Sequence, residues 1–243
     1  MAFIETRVPQ PFTNRDGLIA LPDLSKGLVI DLDADTVAGT TVSAWQSTGS
    51  NTITLNTLPS SGMSFPTIPA TTYNGHKVVQ FSGNHGIRAS DISTILPVGA
   101  AGSAVIAAQW EPGGSNGSLI STGGPSPEYR GARFYEGFFT SGVSTSAGGG
   151  NVSLPTTSPG WSFHAYVVRW DADGTKLDST LGVATHSPLV AGALNGLTVG
   201  SSRIGGDPFT GKIGKIQIYD RALTDTEVDA ALFSMSQRYV IGV

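Results

Sequence analysis

The sequence predicts an all-β fold, two antiparallel sheets packed face to face, closed by one short C-terminal helix. Three observations carry this. Short alternating apolar runs recur along the 243 residues, separated by turn formers that include 32 glycines and 14 prolines, as strands joined by turns require. The one well-marked helical pattern comes last, in "YDRALTDTEVDAAL" (219–232). The composition, 39% apolar and 13% charged, suits a globular chain with a sizeable core, and neither a repeat nor a linker divides it, so one sandwich domain is expected.

Taken in order, residues 1–25 hold Pro9, Pro11 and Pro22 and show no periodicity. They read as an N-terminal arm packed on the domain or on a neighbour, and 26–243 as the domain itself. In "GLVIDLDAD", Leu28, Ile30 and Leu32 alternate with Val29, Asp31 and Asp33, which predicts a strand with those two faces. "KVVQF" (77–81), "AVIAAQW" (104–110), "WSFHAYVVRW" (161–170) and "GLTVG" (196–200) are further strands. "DADG" (171–174) reads as a hairpin turn. "GKIGKIQIYD" (211–220) puts Ile216 and Ile218 on one face and Lys215, Gln217 and Tyr219 on the other. Residues 140–160 have almost no large apolar groups and read as a surface loop.

The helix has a start signal. Thr224 and Glu227 stand three apart as a capping box, each side chain reaching the other's backbone amide, with Leu223 and Val228 in the staple positions around it. Val228, Ala231, Leu232 and Met235 then form an apolar stripe that would cover an edge or end of the sandwich.

"FTGKIGKIQIYDRALTDTEVDAA" resembles the closing strand and helix of LamG-like, concanavalin A-like domains. "GLVIDLDADT", "VSAWQSTGSN" and "NGHKVVQFSGNHGIRAS" are similar to that family's opening strand, its Trp-containing turn and its G-x-x-x-V-x-F strand, in the same order. The resemblance spans about residues 26 to 240. It implies a two-sheet antiparallel jelly-roll sandwich (concanavalin A-like) with the helix as its terminal cover, and a recognition role of the kind these domains have.

Composition narrows the function classes. A net charge of −4 with 14 scattered basic residues gives no nucleic-acid surface. There is no cysteine. The start, "MAFIETRVPQPF", lacks the apolar run of a secretory signal, and no stretch is apolar over the length of a membrane span. The paired acids of a glycanase strand are missing, since Glu5, Glu111, Glu128, Glu136 and Glu227 are dispersed, so no catalytic residue is assigned and the chain is expected not to be an enzyme.

Three candidate groups remain. Asp31, Asp33 and Asp35 at i, i+2 and i+4 share a strand face and could hold Ca²⁺. The plainer reading is a solvated face running into a turn, and no other cofactor is expected. Trp110, Tyr129, Arg130, Arg133 and Tyr135 could line a ligand-binding surface, aromatic rings stacking on sugars and guanidinium forks bonding hydroxyls or carboxylates. The alternative places Trp110, Phe134 and Phe138 in the core and pairs the arginines with Glu128 and Glu136. "GGSNG" (113–117) fits a nucleophile-elbow pattern by letter but lacks the strand–turn–helix context, and reads as a hairpin loop. His76, His85, His164 and His186 show no ligand spacing.

The leading expectation is a non-enzymatic bacteriophage virion protein, a tail or fibre component or a capsid decoration, made in the host cytoplasm and placed on the virion. Its partners would be other virion subunits, further copies of itself and cell-surface glycan, with neither nucleic acid nor membrane insertion. The alternatives are a free carbohydrate-binding lectin, extracellular by non-classical release, and a glycan-degrading enzyme with atypical acid and base residues.

Overall fold

The computed structural model describes residues 4–5, 22–57, 64–89, 91–96, 100–111, 117–123, 129–135, 138–145, 148–155, 162–171, 173–180, 182–185, 196–201 and 207–239. They form sixteen strands and one α-helix. In order these are β1 (Ile4–Glu5), β2 (Leu28–Asp33), β3 (Ala44–Gln46), β4 (Thr54–Thr57), β5 (Val79–Ser82), β6 (Ile87–Ala89), β7 (Gly102–Trp110) and β8 (Gly117–Gly123). There follow β9 (Tyr129–Tyr135), β10 (Phe138–Thr145), β11 (Gly148–Pro155), β12 (His164–Asp171), β13 (Gly174–Ser179), β14 (Gly182–Thr185), β15 (Leu197–Val199), β16 (Thr210–Tyr219) and α1 (Asp225–Tyr239).

Two eight-stranded sheets result. Sheet I runs β1-β14-β13-β12-β7-β16-β2, with β5 also paired to β16, and sheet II runs β11-β10-β9-β8-β15-β6-β4-β3. Every strand pair is antiparallel. The expected jelly-roll sandwich with a C-terminal helix is what the chain forms.

Because alternate side chains leave a strand on opposite faces, each sheet has an inner and an outer side. Ile30, Leu32, Ile106, Ile216 and Ile218 of sheet I meet Trp45, Leu55, Ile87, Leu119 and Val199 of sheet II in the main core. A second core lies outside sheet I, where Val105, Ala107, Ala165, Val167 and Tyr219 pack under Val228, Ala231, Leu232, Met235 and Tyr239 of α1. β7 is therefore buried on both faces, which explains why "AVIAA" is a continuous apolar run and not an alternating one. Gly214 lets the helix end come close, since a Cβ there would stand 2.3 Å from the Tyr239 ring.

The capping box is present. The Thr224 amide donates to Glu227 Oε2 at 2.8 Å, and the Glu227 amide donates to Thr224 Oγ1 at 3.3 Å. Leu223 and Val228 are both in the second core. The helix lies across the outer face of sheet I, on β12 and β7, rather than over an edge or end. Beneath its first turn Arg169, only 6% exposed, bonds Asp178 at 2.8 Å, Asp225 at 2.6 Å and the Leu223 carbonyl at 3.2 Å.

Other expectations are corrected. The β2–β16 register skips from Ile218↔Ile30 to Tyr219↔Leu28. That bulge places Val29 in the main core while Leu28 packs against the second one, reversing the faces expected for these two residues. Most of the expected loop at 140–160 is instead the β10–β11 hairpin, paired from Phe138↔Pro155 to Thr145↔Gly148. At a sheet margin, backbone pairing with β9 sustains strands that bring few large apolar groups. "DADG" does close a hairpin, with Asp171↔Gly174 as its last pair and Gly174 at φ 123°. Of "GGSNG", residues 113–116 lie outside the described residues, but β7 and β8 on either side belong to different sheets, so the segment joins sheets and is not a hairpin loop. In the arm, Ile4 and Glu5 pair with Ala184 and Val183 of β14, while residues 6–21 lie outside the described residues.

The outer edge of β2 is also occupied. The amides of Thr48, Ser50 and Asn51 donate to the carbonyls of Asp31, Leu28 and Val29 at 2.9, 3.3 and 3.1 Å. Among the described residues, no helix is long and apolar enough to cross a membrane.

Candidate functional site

The outer face of sheet II is built differently from that of sheet I. Trp45, Leu55, Ile87, Ala89, Ile120, Ala132, Leu197 and Val199 take the inner positions in the core. The residues between them fall on the outer side, and their registers align in one row. Ala44 pairs with Asn56, Asn56 with Arg88, Arg88 with Thr198, and Thr198 with Ser121. The row continues through Gly131, Gly142 and Asn151, so it crosses all eight strands. Next to it Gln46 and Thr54 face each other, both exposed.

The centre of this row combines a half-buried guanidinium, Arg88, with an exposed amide, Asn56, and two hydroxyls. Thr198 is 1% exposed, and among the described residues its Oγ1 meets no hydrogen-bond partner. A buried hydroxyl left unpaired costs about 1–3 kcal/mol. The site therefore sets one forked cation and one exposed amide beside two buried hydroxyl residues, Thr198 and Ser121.

The residues expected to line a ligand surface are divided by the fold. Tyr129, Arg133 and Tyr135 occupy β9 positions of the same parity as Gly131, the outer-row residue. Arg130 has the parity of Ala132, a core residue. Their side chains lie outside what the structure describes. Trp110 ends β7 in sheet I and packs against the main core, so it does not share a face with the β9 positions. Asn56, Arg88, Ser121 and Thr198 were not singled out from the sequence. Alternation in "GIRAS" and "GLTVG" marks Arg88 and Thr198 as outward, but nothing local places them side by side.

Asp31, Asp33 and Asp35 do come together, and they meet cations of the protein itself. Lys215 Nζ lies 3.1 Å from Asp31 and 3.0 Å from Asp33. Arg238 lies 2.7 Å from both Asp33 and Asp35, and His76 Nδ1 is 2.6 Å from Asp35. Burial works against ionisation of Asp35, but His76, the Lys77 amide and Arg238 outweigh it and hold its carboxyl below the usual range. Asp33 is 8% exposed and Asp31 half-buried, while Asp35 is exposed, so only the turn end of the trio is a solvated face. A Ca²⁺ ion here would have to displace Lys215 and Arg238. The cluster ties the C-terminal end of α1 to β2 and β16, and among the described residues no group of acidic or histidine side chains is arranged to hold a metal.

The histidines have separate surroundings. His76 sits in the turn bonded to Asp35, and His186 lies outside the described residues. His85 and His164 are held below the ordinary imidazole range by burial.

No protein-family model matches the sequence, and no curated protein matches it. Solved structures do match in fold. A Ruminococcus gnavus IT-sialidase CBM40 bound to α2,3-sialyllactose aligns with a TM-score of 0.53 at 18% identity, over 66% of this chain and 99% of that one. A botulinum neurotoxin type C structure, titled for cell entry through interaction with two ganglioside molecules, aligns with a TM-score of 0.67 at 9% identity. It covers 89% of this chain and 53% of the toxin chain, about half of its length. The NanB sialidase of Streptococcus pneumoniae aligns with a TM-score of 0.51 at 17% identity, over 65% of this chain and 28% of that one. At these identities the likeness establishes the fold alone, a two-sheet antiparallel β-sandwich.

Proposed function

We propose that this protein is a non-enzymatic carbohydrate-binding module that takes a saccharide on the outer face of sheet II. The observation that carries the reading is the aligned polar row Asn56–Arg88–Thr198–Ser121, in which the buried Thr198 hydroxyl meets no partner among the described residues. Sugars present many hydroxyls that donate and accept at once, so a face of guanidinium, amide and hydroxyl groups suits them. The β9 positions of Tyr129, Arg133 and Tyr135 extend that face and would contribute rings and a second cation. Fold likeness to structures whose titles name sialyllactose and gangliosides supports the same class.

Binding without turnover is favoured because Glu111 is paired with Lys212 and Glu227 with Arg221. A bacteriophage virion role, with virion subunits and further copies as partners, draws no support from the comparisons, so the carbohydrate-binding reading takes precedence over it.

The test is a printed array of acidic and neutral glycans probed with wild type, Arg88→Ala and Thr198→Val. Arg88→Ala should weaken binding at least about tenfold, equivalent to 1.4 kcal/mol. Thr198→Val should also weaken it while leaving stability equal or higher, because the methyl replaces a buried hydroxyl that meets no partner among the described residues. An array with no bound glycan, or binding indifferent to both changes, sinks the proposal.

A further inference from the structure

The helix does not cover all of sheet I. It ends at Tyr239, whose ring stacks on Phe163 at 5.0 Å, and Phe163 in turn meets Tyr73 edge-on at 4.5 Å. Past that aromatic border the outer face carries polar residues abreast on three strands, since Lys212 of β16 pairs with Gln80 of β5 on one side and Gln109 of β7 on the other. A bridge from Thr67 to Gln80 extends the row by one more segment. In that segment Phe65 and Thr67 are exposed while Pro66 and Ile68 are buried. Alternation thus sends Phe65, 44% exposed, to the same side as Thr67.

The polar groups hold one another in fixed orientations. Tyr73 donates to Gln109 Oε1 at 2.8 Å, and Lys212 approaches the same oxygen at 3.4 Å. Gln80 Nε2 donates to Glu111 Oε1 at 3.2 Å and to the Phe81 carbonyl at 3.2 Å, and Lys212 pairs with that same Glu111 oxygen. These bonds use one end of each amide. Gln109 is left with its nitrogen to donate, Gln80 with its oxygen to accept, and Glu111 with Oε2 to accept.

We infer that this corner of sheet I is a second saccharide site, selective for neutral sugars. Its donors and acceptors are set in advance, which removes part of the ordering cost of binding. Its one cation is already matched by Glu111, so it has no surplus charge to attract an acidic sugar. Phe65 supplies an open ring on which the apolar C–H face of a pyranose can lie. The row from Phe65 to Glu111 spans four neighbouring backbone segments, about 14 Å at the usual strand spacing, longer than one ring. The site lies on the opposite side of the sandwich from Arg88 and does not rest on the sheet II reading.

The experiment is a ¹⁵N NMR titration of the full chain with lactose, cellobiose and mannobiose, each taken into the millimolar range. At least one should shift the side-chain amides of Gln80 and Gln109 together with the backbone amide of Lys212. Phe65→Ala should weaken that response about tenfold, 1.4 kcal/mol by the usual conversion, and Glu111→Gln should do the same by putting a donor NH2 where Oε2 accepts. Prior addition of sialyllactose should leave the shifts in place, which separates this site from the sheet II face. If none of the three sugars moves these amides, or if the shifts survive Phe65→Ala, the site is not there.

Discussion

The two outward faces of this sandwich follow the same pleat and carry opposite chemistry. On sheet I the outward slots under α1 are Val105, Ala107, Ala165 and Val167, and such a face must be covered by something apolar. On sheet II the outward row is Asn56, Arg88, Thr198 and Ser121, polar throughout, with Asn56 exposed, Arg88 half-buried and the two hydroxyl residues buried. The contrast shows how one architecture separates its duties. The helix side gathers the buried ion pairs and aromatic stacking that stabilise the chain, and the other side keeps groups that bind.

The strongest challenge to that division is Asp178→Ala. It would leave Arg169 buried at 6% exposure without its 2.8 Å partner, and breaking a buried pair in this way costs about 3–5 kcal/mol. Urea denaturation should show it as a large fall in midpoint. A loss below about 1 kcal/mol would mean that the ion pair under the helix matters little, since losses that small are ordinary for point mutations.

A smaller effect is expected at the helix start, where Thr224→Ala should cost about 1 kcal/mol. Glu227→Gln sharpens the point through pH. The bidentate bond from Arg221 holds the Glu227 carboxyl down to about 2, from an ordinary value of 4.5, against the opposing effect of burial. A depressed carboxyl stabilises the fold at pH values above its unfolded value, and that contribution disappears as pH falls through the folded one. Denaturation midpoints of wild type and Glu227→Gln should therefore differ near neutrality and converge between about pH 4.5 and pH 2. A gap that stays constant over this window would show that Arg221 is not the source.

A lesser effect belongs to the polar face of sheet II. Arg88 is half-buried, so Arg88→Ala should cost about 1 kcal/mol of stability, the ordinary size for a point mutation, and less than Asp178→Ala. A larger loss would make Arg88 a structural residue of sheet II and would blur the distinction between the faces.

Local signals in the sequence revealed much of this architecture. Thr224 and Glu227 gave the helix start, and alternation at Ile216 and Ile218 gave the core face of β16, because both depend on neighbours within a few residues. The reversal at Leu28 and Val29 was not readable, since a bulge is decided by the partner strand. The β10–β11 hairpin was hidden because a stretch of Gly, Ser and Thr shows no apolar alternation, and its strands are declared only by main-chain pairing with a neighbour. The row around Arg88 was hidden for a related reason. Its members come from β4, β6, β15 and β8, up to 142 positions apart (56 to 198), and only the assembled sheet makes them neighbours. Likewise Asp31, Asp33 and Asp35 looked like a ligand set because Lys215 and Arg238, which neutralise them, lie far along the chain.

The main-chain bonds from Thr48, Ser50 and Asn51 to β2 have a bearing on how copies of this protein can meet. An uncovered strand margin is a template on which another chain can polymerise, and here the molecule has closed that margin with its own loop. Within sheet I, strand addition is left to the opposite border, where β14 has the two-residue strand Ile4–Glu5 beside it. A variant that lost that short guard would be the one to watch for fibres or strand-exchanged dimers.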